Sequence, residues 1–332
     1  MKRHLSHHGL DPADRGAAAA IGNFDGVHLG HQSVLALARA AAAEHGTAFG
    51  VVTFEPHPRR FFAPDGPPFR LMTADARARR MEKLGVEQLY EIRFDADLAG
   101  LSAEAFMREV LAGALGLRHL VAGADFRFGK GRSGDTGLLR RLGPALGIDV
   151  TIAPLVADAE GDFSSTAIRE ALSEGRPEEA ARILGHWHRI EGPVREGDRR
   201  GRELGFPTAN LGLDGLHLPR LGVYAVGVDV LNGPHRGRYV GAASIGTRPT
   251  FGENRPNLEV YLLDFDGDLY GAQLSVALMA FLRPEWRFDS VTALVAQMQS
   301  DVAEARLRVA ELQRGWFPGE AGAAAAAPSR SR

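Results

Sequence analysis

From residue 17 to residue 185, short apolar runs alternate with helix-patterned segments, and after that the alternation stops. "AAAAIGNF", "AFGVVTFE", "EQLYEIRF", "HLVAGADF" and "DVTIAPLV" have the length of strands. Between them, "HQSVLALARAAAAEHG", "TADARARRMEKLG", "SAEAFMREVLAGALG" and "DTGLLRRLGPALG" read as helices. Such alternation predicts a parallel sheet covered on both faces. The first strand is weak, because alanine is a poor strand former. Gly46 and Gly85 stand where helices should stop, and Pro56 and Pro58 end the second strand. "STAIREALSEG" and "PEEAARILG" add two short helices.

After His188 strands dominate: "HRIEGPVR", "GVYAVGVDVL", "RYVGAASIG", "NLEVYLLDF" and "QLSVALMAFL". Asn232-Gly233 supplies hairpin turn chemistry between the second and third. A closing helix is expected over residues 289–313. Val291, Leu294, Val295, Met298, Val302, Val309 and Leu312 keep helical spacing on its packed face. Two domains are therefore expected, residues 1–186 and 187–316, with a disordered Ala/Ser-rich tail over 317–332.

The 332 residues suffice for two cores. A net charge of -2 gives no basic field for nucleic acid or an anionic membrane. Absence of cysteine removes disulfides, thiolate catalysis and Cys-based zinc sites, and fits a cytoplasmic protein. No apolar run approaches the ~20 residues that span a bilayer. The opening "MKRHLSHHGL" lacks the apolar core of a signal peptide.

Chemistry concentrates in a few stretches. "GNFDGVHLGH" (residues 22–31) is a glycine-rich turn from strand to helix. There, backbone N–H groups and the helix N-terminus favour phosphate. Gly22, Asn23, Phe24 and Gly30 shape the turn, and His28 and His31, three apart, share a helix face. A surface histidine pair and a zinc pair are the competing readings; zinc needs a third ligand, and no HExxH pattern exists. "GADFRFGKGRSGD" (123–135) carries Asp125, Arg127, Lys130 and Arg132 but is not a P-loop. In "SSTAIR" (164–169), Ser164, Ser165 and Thr166 are cap residues or phosphate donors. Arg169 sits in a first helical turn, where a cation opposes the dipole unless an anion binds. In the second half, "GRELGFPTAN" (201–210) offers Gly201, Thr208 and Asn210, and reads either as an ordinary turn or, through the last two, as neutral oxygen ligands for Mg²⁺ shared with substrate phosphates. Glu259 interrupts an apolar strand, and alternation alone leaves its face open.

"GNFDGVHLGH" resembles the HxGH motif of the nucleotidylyltransferase superfamily. With "TFEPHP", "GADFRFGKGRSGD", "SSTAIR", "GFPTAN", "SIGTRPTF" and "EVYLLDFDGDLYG" in order, residues 18–312 resemble the bacterial bifunctional riboflavin kinase/FMN adenylyltransferase (FAD synthetase) family. The resemblance implies a Rossmann-like α/β nucleotidylyltransferase domain followed by a small antiparallel β-barrel with a C-terminal helix. It implies phosphorylation of riboflavin to FMN by the barrel domain, with Glu259 as the base. Adenylylation of FMN to FAD would follow in the first domain, through His28, His31 and Arg169. ATP and Mg²⁺ would serve both, with flavin held near Arg248 and Thr250, and no nucleic acid or membrane as partner. Ser244 departs from the family, where many members carry asparagine. Two alternatives remain at this point: a single-activity nucleotidylyltransferase with a flavin-sensing barrel, and a non-enzymatic flavin carrier.

Overall fold

The computed structural model describes residues 1–158, 161–197, 201, 204–250 and 253–315. The 317–332 tail lies outside the described residues. The chain divides into two compact units, Met1–Ser165 and a second from Thr166 onward.

The first unit is built on β1 (Lys2–His4), β2 (Ala18–Ile21), β3 (Phe49–Glu55), β4 (Gln88–Arg93), β5 (His119–Gly123) and β6 (Asp149–Ala153). These form one parallel sheet in the order β1-β4-β3-β2-β5-β6. Its helices are α1 (Leu29–His45), α2 (Pro58–Phe62), α3 (Ala74–Lys83), α4 (Ala96–Gly100), α5 (Ala103–Ala105) and α6 (Thr136–Leu142). A two-residue ribbon, β7 (Ala157–Asp158) with β8 (Gly161–Asp162), precedes α7 (Ser165–Ser173).

The alanines that weaken β2 as a strand have a packing role. β2 lies in the middle of the sheet and is buried on both faces. Ala19 and Ile21 enter one core with Val52, Ile92, Met107 and Leu111. Ala18 and Ala20 enter the other with Val34, Leu35, Ala38 and Met81. The approach is close: a Cβ at Gly50 would lie 2.9 Å from Ala17 and 3.1 Å from Ala19. Larger side chains on β2 would overpack this layer.

Two features differ from expectation. The charged N-terminus forms an edge strand, with Lys2 beside Gln88 and His4 beside Tyr90. The helix expected over 102–116 is wound as a π-helix from Phe106 to Ala114. Its last turn closes by Leu115 N–H donating to Val110 O at 2.9 Å. The wider turn keeps Leu115 buried with Val110 and Leu111.

The second unit contains α8 (Pro177–Leu184), then β9 (Arg189–Pro193), β10 (Ala209–Gly212), β11 (Gly222–Val230), β12 (Gly237–Thr250), β13 (Glu253–Leu262) and β14 (Gln273–Arg283). The strands are antiparallel in the order β10-β13-β12-β11-β14-β9. Arg195 N–H donates to Asn210 O at 2.9 Å, so the chain leaving β9 bridges to β10 and nearly closes a barrel. Leu211, Tyr224, Val226, Ile245, Leu258, Val260, Val276 and Leu278 fill it.

The closing helix, α9 (Val291–Gly315), packs outside the barrel, with Ala305 and Val309 against Ala225, Ala242 and Met279. Val291 was expected on the packed face but is 62% exposed, because it opens the helix beyond the barrel wall. Asp301 anchors the helix instead, accepting from Arg283 Nε at 2.9 Å and Nη2 at 2.7 Å. α8 belongs with this unit: Ala181 shares the core of Trp187, Ala277 and Ala280. Hence the units divide after the first residue of α7, upstream of the change in sequence pattern.

His188 is buried next to His217, and desolvation pushes its pKa down to about 3. The unfolded chain protonates it near the ordinary value of 6.5, while the folded chain holds it neutral. Stability from this group is therefore complete above pH 6.5 and falls as pH drops through 6.5 toward 3. Between pH 7.5 and 5.5 the expected loss is roughly 1.4 kcal/mol. Urea unfolding at the two pH values should show it, and His188→Gln should make the decline shallower by that amount.

Candidate functional site

With β2 taken first and the edge strand β1 left aside, the other five strands run in the order 3-2-1-4-5, which places a topological switch between β2 and β5. Ligands of such sheets bind outside the strand C-termini at that switch. The loop after β2 holds "GNFDGVH" and the loop after β5 holds Asp125.

The first loop is tightly wound. Phe24 (φ 51), Gly26 (φ 88) and Val27 (φ 49) are left-handed, and a β-branched residue there is strained. Phe24 and Val27 hold the loop down with fully buried side chains. Gly22 N–H donates to Val52 O at 3.1 Å, and Asn23 is exposed beyond it. His28 caps α1: its Nδ1 accepts from His31 N–H at 3.3 Å. That bond assigns the proton to Nε2 of His28, leaving Nε2–H as a donor. The His28 and His31 rings stack with centroids 3.6 Å apart, and Phe24 meets His31 edge-on at 5.2 Å. Gly30 permits this: a Cβ there would lie 3.1 Å from His28 Nδ1 and 3.3 Å from Phe163 O.

Desolvation, then the neighbouring His28, holds the His31 pKa well below the ordinary value. His31 is therefore neutral at pH 7. Its Nδ1 is buried and has no hydrogen-bond partner among the described residues. A buried nitrogen without a partner beside a strained loop marks the loop as a candidate site.

Of the other expected residues, Ser165 joins this centre directly, its Oγ donating to Asp25 O at 2.8 Å. Ser164 is half-buried beside it in sequence. Asp125 is exposed, with Oδ1 3.1 Å from where a Gly123 Cβ would be. Thr166, exposed, and Arg169, half-buried, belong to the second unit, where Arg169 O pairs with His217 Nε2 at 3.0 Å.

Sequence reasoning missed the support beneath the loop. Asp25 accepts from Leu71 N–H at 2.9 Å. Arg77 is fully buried, donating to Glu91 at 2.7 Å, Glu55 at 3.1 Å and Asn23 O at 3.2 Å. Arg70 donates to the same Glu55 carboxylate at 2.9 Å. The available signal was Glu91 standing between the apolar Tyr90 and Ile92 of β4. Arg77→Leu removes the fully buried partner of Glu91 and leaves it only Arg3 at the sheet edge; breaking a buried ion pair costs up to about 3–5 kcal/mol. Thermal unfolding should register that loss, and a variant as stable as the parent would contradict the bracing role.

The second unit has its own polar face. Leu258 and Val260 point into the barrel core, so Glu259 points to the other side. Register then aligns three polar residues on adjacent strands: Asn210 opposite Glu259, and Glu259 opposite Ser244. Asn257 Nδ2 reaches Asn210 Oδ1 at 3.4 Å and Glu259 Oε1 at 3.5 Å. Thr208, two before Asn210, is half-buried on that side. The segment before it folds back, with Phe206 N–H donating to Gly201 O at 2.7 Å and Phe206 edge-on to Tyr261 at 5.2 Å. The side chains of Arg248 and Thr250 lie outside the described residues.

Two family matches divide the chain as these centres do: FAD synthetase over residues 10–167 and riboflavin kinase over residues 184–309. A relative from Pseudomonas fluorescens, a bifunctional riboflavin kinase/FMN adenylyltransferase, is 43% identical over 300 residues, covering 90% of this chain and 95% of its own. The Escherichia coli K12 protein of the same name is 40% identical over 307 residues, covering 92% and 97%. A crystal structure described as a macrolide-efflux protein from Streptococcus pneumoniae superposes with a TM-score of 0.78 at 31% identity, covering 95% and 99%. Among the described residues no helix is long and apolar enough to cross a membrane. Identity of this extent, over nearly the whole of each relative and across both centres, makes the chain a member of the bifunctional riboflavin kinase/FMN adenylyltransferase family.

Proposed function

We propose that the chain converts riboflavin to FMN in its second unit and FMN to FAD in its first, using ATP in both steps. The observation that carries this reading is that each unit has a polar centre of its own, at loops of different chemistry. A hydroxyl nucleophile is protonated at neutral pH and gains from a base; a phosphate nucleophile does not. The carboxylate of Glu259 lies in the second unit, whereas the first offers imidazole and backbone donors.

In the second unit, Glu259 accepts the proton of the ribityl hydroxyl as its oxygen attacks the γ-phosphorus of ATP, releasing ADP. Thr208 and Asn210 present hard oxygen donors beside that carboxylate, a set that suits Mg²⁺. Bound there with ATP, Mg²⁺ would neutralise phosphate charge. Ser244, opposite Glu259, supplies a hydroxyl where an amide was expected. Arg248 and Thr250 are assigned to the flavin by their place in "SIGTRPTF".

In the first unit, the FMN phosphate attacks the α-phosphorus of a second ATP, and pyrophosphate leaves. His28 Nε2–H and the α1 N-terminus donate to phosphate oxygens, and polyphosphate charge raises the His31 pKa from its depressed value. Gly22, Asn23, Phe24 and Gly30 hold the loop close enough for backbone contact, and Ser164, Ser165 and Thr166, around the start of α7, are assigned as phosphate donors. Arg169 and Asp125 are assigned to phosphate and nucleotide contact respectively. Chromatography of riboflavin, FMN and FAD after incubation with MgATP tests the whole reading. Accumulation of both FMN and FAD from riboflavin supports it, and riboflavin left unconsumed contradicts it.

A further inference from the structure

At the far end of α1 from His28, three side chains with metal-binding chemistry converge. His45 closes α1, His119 opens β5 and Asp149 opens β6, so all three stand at the N-terminal edge of the parallel sheet. A 17-residue helix is about 25 Å long, which sets the cluster well away from the loop at its start. The proposed adenylyl-transfer chemistry uses none of these residues.

His45 Nε2 lies 3.1 Å from His119 Nδ1 and 3.7 Å from Asp149 Oδ2. All three ligand atoms fall within 4.8 Å of one another. Tetrahedral zinc with bonds of about 2.0–2.1 Å spaces its ligands by ~3.3 Å. The remaining nitrogen of His119, Nε2, is 2.8 Å from Thr151 Oγ1. When Nε2–H donates to that hydroxyl, Nδ1 is left as a lone pair aimed into the cluster. An outer hydrogen bond of this kind orients a ligating histidine and fixes its tautomer.

We infer that His45, His119 and Asp149 form a surface site for a borderline-soft divalent cation, zinc in particular, with water completing the coordination. Two imidazoles and one carboxylate select zinc over magnesium, which prefers an all-oxygen shell. Such an ion would clamp the C-terminus of α1 to the first residues of β5 and β6. The site is separate from any magnesium that accompanies ATP.

Titration of the full chain with zinc chloride by calorimetry, in buffer without chelator, tests the site. One zinc per chain is expected, together with a rise in melting temperature that excess magnesium does not reproduce. His45→Gln with Asp149→Asn removes two exposed ligands and should weaken that binding by at least about 100-fold. Thr151→Val leaves the three ligands in place and should weaken it by about 10–100-fold with the stoichiometry unchanged. Cobalt(II) should give the intense visible bands of a four-coordinate site in the parent and lose them in the double variant. Absence of saturable zinc binding would overturn the inference. So would binding that the double variant retains at parental affinity, or zinc displaced by equimolar magnesium.

Discussion

With His28 and His31 both replaced by alanine, FAD formation from FMN should fall by at least about 10²–10³-fold, the usual cost of one preorganised donor. FMN formation from riboflavin should stay at the parental rate. The two rings stack, His28 holds its proton on Nε2, and His31 Nδ1 is buried with no hydrogen-bond partner among the described residues. His28 also caps α1, so its loss costs about 0.5–2 kcal/mol of stability in addition. A melting curve separates the two effects: a stable variant with lost FAD formation identifies chemistry, whereas loss of both activities with early melting identifies folding. FAD formation at the parental rate would remove the histidines from the reaction.

Glu259→Gln should produce the opposite pattern. The change preserves shape and removes the carboxylate's capacity to accept a proton. General-base assistance is worth about 10²–10⁴-fold, and riboflavin phosphorylation should drop within that range. Folding should be little affected, because Glu259 lies on the face away from the barrel core, half-buried beside Asn257. Adenylylation of supplied FMN should continue unchanged. Parental riboflavin phosphorylation in this variant would exclude Glu259 as the base.

The two patterns were legible in the sequence because different physics wrote them. Helix stops at Gly46 and Gly85 require left-handed backbone, which glycine supplies at φ 62 and φ 80. The face of Glu259 was not legible. Alternation gives two sets of residues but not which set is buried; the burial of Leu258 and Val260 in the barrel core assigns Glu259 to the other face. The support network of Asp25, Arg70, Arg77 and Glu91 was equally hidden. Its members lie far apart in sequence and meet only when β3, β4 and α3 pack. The edge strand Lys2–His4 escaped notice because an exposed edge needs no apolar run; Arg3 is secured there by ion pairs with Glu91 and Asp75. Neutral His31 illustrates a further limit: residue type gave a donor, whereas burial and its stacked neighbour decided the charge.

The account's central claim is that two self-sufficient centres act in sequence, with FMN passing between them. Mixing the His28→Ala/His31→Ala variant with the Glu259→Gln variant, in riboflavin and MgATP, tests it most directly. Alone, the first should accumulate FMN without FAD, and the second should leave riboflavin unconsumed. Together they should form FAD, each supplying the step the other lacks. A mixture of two folded variants that makes FMN but no FAD, or a folded Glu259→Gln variant that fails to adenylylate supplied FMN, would contradict the claim.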